Sequence, residues 1–193
     1  MESRARLFGH AVHPMLIVFP LGLLSTAVVF DVVGLVSGEA RWYRAGYYMI
    51  AAGVIGGLAA AATGWLDWAA IPRGTRAKRI GLVHGLGNVA VLALFALSWV
   101  IRRGAPEPPP TEAVVAGILG LGIALVTGWL GGELVERLGV GVSDGAHVNA
   151  PSSLSQLPAS LNRSAPVSWG GPERRTRRQE TWPGIERRAA AVR

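Results

Sequence analysis

The chain has 193 residues, half of them hydrophobic, a formal charge of +7 and no cysteine, which excludes disulfides, thiolate metal sites, cysteine-held iron–sulfur clusters and thiol catalysis. Residues 1–144 hold 11 Lys and Arg against 9 Asp and Glu, whereas residues 145–193 hold 8 Arg against 3 Glu. The high isoelectric point therefore belongs mostly to a tail and does not indicate a nucleic-acid partner.

The polar opening MESRARLFGHAVH leads into 17 uncharged residues, 14–30, followed by Asp31 and an apolar continuation to Val36. This predicts a helix over residues 12–36, too long in its apolar run for a cleaved signal peptide and expected to act as a retained signal anchor. His10 and His13, three apart, share a helix face if that helix extends back to them. Asp31 lies five helical turns after His13 and so falls on the same face about 27 Å away. Arg41 and Arg44 in the next loop are its expected partners.

The second apolar run, residues 45–66, predicts a helix over 44–68 that ends at Asp67, with Gly53, Gly57 and Ala61 at four-residue spacing. A basic loop with Arg73, Arg76, Lys78 and Arg79 leads to the third run, residues 80–101, interrupted only by His84, with Asn88 one turn on. Its predicted helix spans 79–102. After the proline-stiffened turn GAPEPPPT at 104–111 comes the fourth run, residues 113–132, in a predicted helix over 112–137 that reaches Glu133. Gly120, Ala124, Gly128 and Gly132 form a row of small residues there, and such rows allow close backbone approach in lipid. From about residue 146 the composition turns to Ser, Pro, Gly and Arg without periodicity, which predicts disorder. Within this tail the run RRTRR at 174–178 is a candidate contact for anionic lipid.

A helix of about 20 apolar residues crosses a bilayer core of about 30 Å, and all four runs approach or meet that length. The expected fold is all-α: an integral membrane four-helix up-down bundle over residues 1–144, with short loops making sequential helices antiparallel neighbours. Residues 145–193 form the basic tail. Seven Lys and Arg flank one side of the bundle and four the other, so the positive-inside rule places both termini in the cytoplasm.

Each helix delivers a polar residue to the terminus-bearing end, and ionisable groups at membrane depth are costly and usually functional. The set is His10, His13, Asp67, His84 and Glu133. No phosphate-binding loop, nucleophile elbow, inverted repeat or pair of broken helices marks an enzyme or a transporter.

Gly9-His10-Ala11-Val12-His13-Pro14-Met15-Leu16-Ile17-Val18-Phe19-Pro20-Leu21-Gly22 resembles the first-span signature of a bacterial membrane family known as domain of unknown function 2231. Asp31, the Gly64-Trp65-Leu66-Asp67 end of the second span, His84 and residues 128–142 fall where that pattern would put them. The resemblance covers residues 5–142. It implies a four-helix domain of the bacterial cytoplasmic membrane, sometimes found with Rieske iron–sulfur domains, and implies no established activity.

Three readings of function follow. His13 and His84, on different helices at similar depth, are candidate axial ligands of haem b in an electron carrier with a redox partner protein. His10, His13, His84, Asp67 and Glu133 together are candidate ligands of a transition metal such as zinc, iron or copper. In the third reading the same layer is structural, holding helix ends together by hydrogen bonds and ion pairs in an accessory membrane subunit.

Overall fold

The computed structural model describes residues 1–104 and 107–161. The run RRTRR and the part of the expected disordered tail at residues 162–193 lie outside these. Among the described residues, four helices are long and apolar enough to cross a membrane: Val12–Ser37, Ala40–Ala70, Arg76–Arg102 and Thr111–Arg137. The first is a short α1 (Val12–Leu16) followed by α2 (Val18–Ser37). Next come α3 (Ala40–Ala70), α4 (Arg76–Arg102) and α5 (Thr111–Gly132), which widens into a π-helical turn at Glu133–Arg137. The all-α bundle expected from the apolar runs is the fold observed.

The element boundaries have local causes. Gly38 ends α2 in the left-handed region (φ 72°), its amide donating back to the Gly34 carbonyl, so α3 can start two residues later. Thr75 caps α4 by accepting from the Lys78 amide. The loop before it is locked by Trp68, whose indole donates to the Lys78 carbonyl at 3.1 Å while the Lys78 ammonium sits 3.8 Å from the ring centre.

Helix α2 packs along α3, α4 along α5, and the contacts α3–α4 and α2–α5 close the ring. Leu24, Ala27, Val28, Ile50, Val91 and Phe95 form the central core. The outer faces are as apolar as the core: Val29, Val32, Leu35, Ile55, Leu58, Val83, Leu86, Leu97, Leu119 and Leu125 are all exposed. A bundle apolar inside and out is built for lipid rather than water.

Close approach rests on single glycines. A β-carbon on Gly53 would lie 2.6 Å from the Leu24 side chain, and one on Gly57 would lie 2.4 Å from Leu92. In α5 the expected four-member row divides: Gly120 receives the Phe95 ring, whereas Gly128 and Gly132 meet no atom within 4 Å. One row cannot serve as a single packing seam because its two halves face different surroundings.

The structure also exposes an internal repeat that runs in parallel, not inverted. First helices of the two hairpins correspond at an offset of 71 residues, pairing His13 with His84, Leu24 with Phe95, Ala27 with Ser98 and Asp31 with Arg102. Second helices repeat the tetrapeptide T-G-W-L, at residues 63–66 and 127–130. Two of these corresponding pairs touch each other across the bundle, one at each end.

At the loop end that pair is an ion pair. Asp31 is bonded in bidentate fashion by Arg102, at 2.7 and 2.6 Å, and both residues are buried. The Arg102 Nε donates to the Ser98 hydroxyl, which donates to the Ala113 carbonyl at 2.6 Å. Arg41 and Arg44, the expected partners of Asp31, instead pair with Glu39 and Glu107. Those arginines are exposed at the start of α3, and the last turn of α4 brings Arg102 directly into the core.

Removing one member leaves the other buried, charged and uncompensated, at a cost of about 3–5 kcal/mol. Asp31→Asn and Arg102→Gln should each lower the melting temperature of the detergent-solubilised protein well below wild type. Exchanging the charges (Asp31→Arg with Arg102→Asp) should recover much of the loss, because the two positions correspond across the repeat.

Candidate site: a histidine pair between the hairpins

The five polar residues expected in one layer are divided by the structure into four settings. Among the described residues no group of three or more His, Asp and Glu is placed to hold a metal ion. His13 and His84 do come together. Their ring centres are 6.4 Å apart and their planes nearly perpendicular, at 83°.

His13 lies on α1, in the break region held by Pro14, and its Nδ1 bonds the Ala60 carbonyl of α3 at 2.8 Å. His84 lies about two turns into α4, and its Nδ1 bonds the Thr127 carbonyl of α5, also at 2.8 Å. A carbonyl can only accept, so each neutral ring carries its proton on Nδ1 and presents an unprotonated Nε2. Each ring rests on a glycine of the second helix of its own hairpin: a β-carbon on Gly64 would lie 2.9 Å from the His13 ring, and one on Gly131 3.1 Å from that of His84. A side chain at Gly64 would displace the His13 ring, and one at Gly131 would press on that of His84.

The two rings differ in one respect. The Asn88 amide, one turn along α4, lies 3.2 Å from His84 Nε2 and donates to the His84 carbonyl at 2.9 Å. The Thr127 hydroxyl donates to the Asn88 side-chain oxygen at 3.1 Å. His84, Asn88 and Thr127 therefore form a closed network between α4 and α5. His13 Nε2 has no hydrogen-bond partner among the described residues.

Asp67 serves the N-terminal segment instead of the histidines. Its carboxylate accepts from the Ser3 hydroxyl at 2.7 and 2.8 Å, from the Arg4 amide at 2.7 Å and from the Ala5 amide at 3.3 Å. Glu133 pairs with Arg76 at 2.6 Å, joining the π-helical turn to the start of α4. His10 is not on α1 at all, and so shares no helix face with His13. It sits on β2 (His10–Ala11), paired with β1 (Arg6–Leu7) through a turn at Phe8 and Gly9, both at positive φ. Its ring is exposed beside Phe8 and Ser153.

The sequence reading passed over Thr127, Gly64 and Gly131 as parts of the site. The repeated T-G-W-L is a signal for Gly64 and Thr127 and the four-residue spacing of His84 and Asn88 one for their network, whereas Gly131 lies outside the repeat.

An apolar four-helix ring with charged groups confined to its ends, and a histidine pair between its two hairpins, defines a polytopic membrane protein. A family model described as "Predicted membrane protein (DUF2231)" matches residues 9–144. The chain belongs to that family. No curated protein and no solved structure matches it.

The Asp67 anchor gives a direct test. Asp67→Asn removes the charge that accepts from three donors, Ser3 Oγ and the Arg4 and Ala5 amides, each charge-assisted bond worth about 1.5–3 kcal/mol. Hydrogen exchange of the Arg4 and Ala5 amides should accelerate in this variant while the α4 and α5 amides stay as slow as in wild type, as read by mass spectrometry.

Proposed function

We propose that the His13–His84 pair is a bis-imidazole site for haem b, and that the bundle is a membrane electron carrier. The spacing of the rings carries this reading. Two metal–nitrogen bonds of about 2.0–2.1 Å, plus about 1.1 Å from each nitrogen to its ring centre, set opposed imidazole ligands about 6.3 Å apart. The pair stands at 6.4 Å. Each Nδ1–H is held by a main-chain carbonyl, the outer arrangement that fixes the tautomer and raises the basicity of a ligating Nε2. Haem bound by these rings would supply one-electron transfer, for which a redox partner protein is needed.

The donor set favours haem over a bare ion. Two imidazoles fall short of the four ligands that zinc takes, and neither Asp67 nor Glu133 is free to add to them. A second reading is supported by the closed His84–Asn88–Thr127 network: the pair is a structural clamp of an accessory subunit. In that reading the Asn88 amide is the permanent partner of His84 Nε2, whereas haem ligation requires it to move aside.

We place the protein in the bacterial cytoplasmic membrane with both termini in the cytoplasm, on the distribution of Lys and Arg about the spans. The Arg-rich tail would then lie beside the anionic inner leaflet.

The protein should purify with a Soret band whose reduced form has the sharp visible bands of a low-spin, six-coordinate haem. His13→Ala and His84→Ala should each abolish it, and His10→Ala and Glu133→Gln should leave it intact. A colourless preparation with no bound metal, whose His84→Ala variant merely melts lower, would leave the clamp reading alone.

A further inference from the structure

The end of the bundle opposite the histidines carries a recess of about 250 Å³, lined by Tyr43, Arg44, Tyr47, Arg102, Arg103 and Glu107 among others. Its charges do not cancel. Arg102 is neutralised by Asp31, and Arg44 is held by Glu107 at 3.3 Å. Arg103 has no acidic partner among the described residues, and its guanidinium lies 5.2 Å from the centre of the Trp99 ring. One positive charge remains.

Two phenol donors line the recess with it, and Trp99 stands behind them. The Trp99 indole nitrogen is buried and has no partner among the described residues. Trp99 is stacked on Tyr47, with centres 5.4 Å apart and planes 19° from parallel, which fixes the wall of the recess. Neither the Tyr43 nor the Tyr47 hydroxyl has a hydrogen bond among the described residues. Aromatic walls, fork-shaped cations and phenol donors suit an oxyanion with several acceptor atoms.

Position narrows the class of ligand. The recess lies where α3 begins and α4 ends, beyond the apolar shell, at the depth of lipid headgroups. We propose that it binds the phosphate of an anionic phospholipid headgroup, Arg103 supplying the charge and the tyrosine hydroxyls the hydrogen bonds. The volume admits a headgroup and leaves the acyl chains on the exposed apolar faces of the helices. This site is distinct from the Arg-rich tail, which the sequence alone marks as a lipid contact.

Native mass spectrometry of the full chain in detergent provides the test, with phosphatidylglycerol, phosphatidylcholine and inorganic phosphate as separate probes. Wild type should retain phosphatidylglycerol in preference to phosphatidylcholine, and Arg103→Gln should weaken that binding about five- to tenfold. Tyr47→Phe, which keeps the stacked ring, should weaken it less, and Arg79→Gln at the other end should leave it unchanged. Because every variant keeps the tail, differences among them report on the recess. Equal losses from Arg103→Gln and Arg79→Gln would overturn the proposal in favour of general surface attraction. Binding of inorganic phosphate with no retention of phosphatidylglycerol would overturn the lipid assignment.

Discussion

Hydrocarbon offers no hydrogen bonds, so a charged or strongly polar group buried in the bundle is costly unless the bundle itself satisfies it. That constraint explains where the polar side chains sit. Asp31 and Arg102 could not be tolerated singly among Leu24, Val28 and Phe95, yet together they exchange two short charge-assisted bonds, and Ser98 takes up the remaining guanidinium edge. The histidines meet the same demand differently, each giving its one proton to a main-chain carbonyl of a neighbouring helix. A carbonyl inside a helix still has a lone pair to offer after its helical bond, so both contacts leave the helices intact.

The same constraint limits how the hairpins can dock. Lipid does not drive helices together through the hydrophobic effect, and association depends on close packing and on polar contacts. Gly53 and Gly57 let α3 approach Leu24 on one side and Leu92 on the other, and Gly120 admits Phe95. Polar contacts then fix the register at both ends. With Asp31–Arg102 at the loop end and the two histidines near the other, one hairpin cannot slide along its neighbour without stranding a charge.

The four spans were legible because hydropathy needs no knowledge of partners: each apolar run carries its own signal. Pairings were less legible. Proximity in sequence points Asp31 to Arg41 or Arg44, whereas its partner lies 71 residues away, visible only once the helices form a ring. Three-residue spacing puts His10 on a helical face with His13 only if the helix extends back that far, and it does not. The left-handed Phe8–Gly9 turn instead closes a hairpin there, and Asp67 pins the strand leading to it. That Asp67 and Glu133 have closer partners than the histidines also escaped the sequence. A shared end of the bundle does not mean a shared site.

The internal repeat bears on what the histidine pair is for. Corresponding positions of the two hairpins meet at both ends, and at the loop end they carry complementary groups, a carboxylate and a guanidinium, that bond each other directly. At the other end they carry the same group twice. Two neutral imidazoles with Nδ1 protonated and turned to carbonyls make no hydrogen bond to each other, and a perpendicular ring contact is worth only about 0.5–1.5 kcal/mol beyond its buried area. A donor facing an acceptor would hold the hairpins more firmly at that position. Two imidazoles join the hairpins less firmly than the ion pair does, and each instead ties its own ring to a carbonyl of the second helix of its hairpin. The ion pair at the far end shows that the same scaffold can place complementary groups on corresponding positions, so the two ends hold the hairpins together by different means.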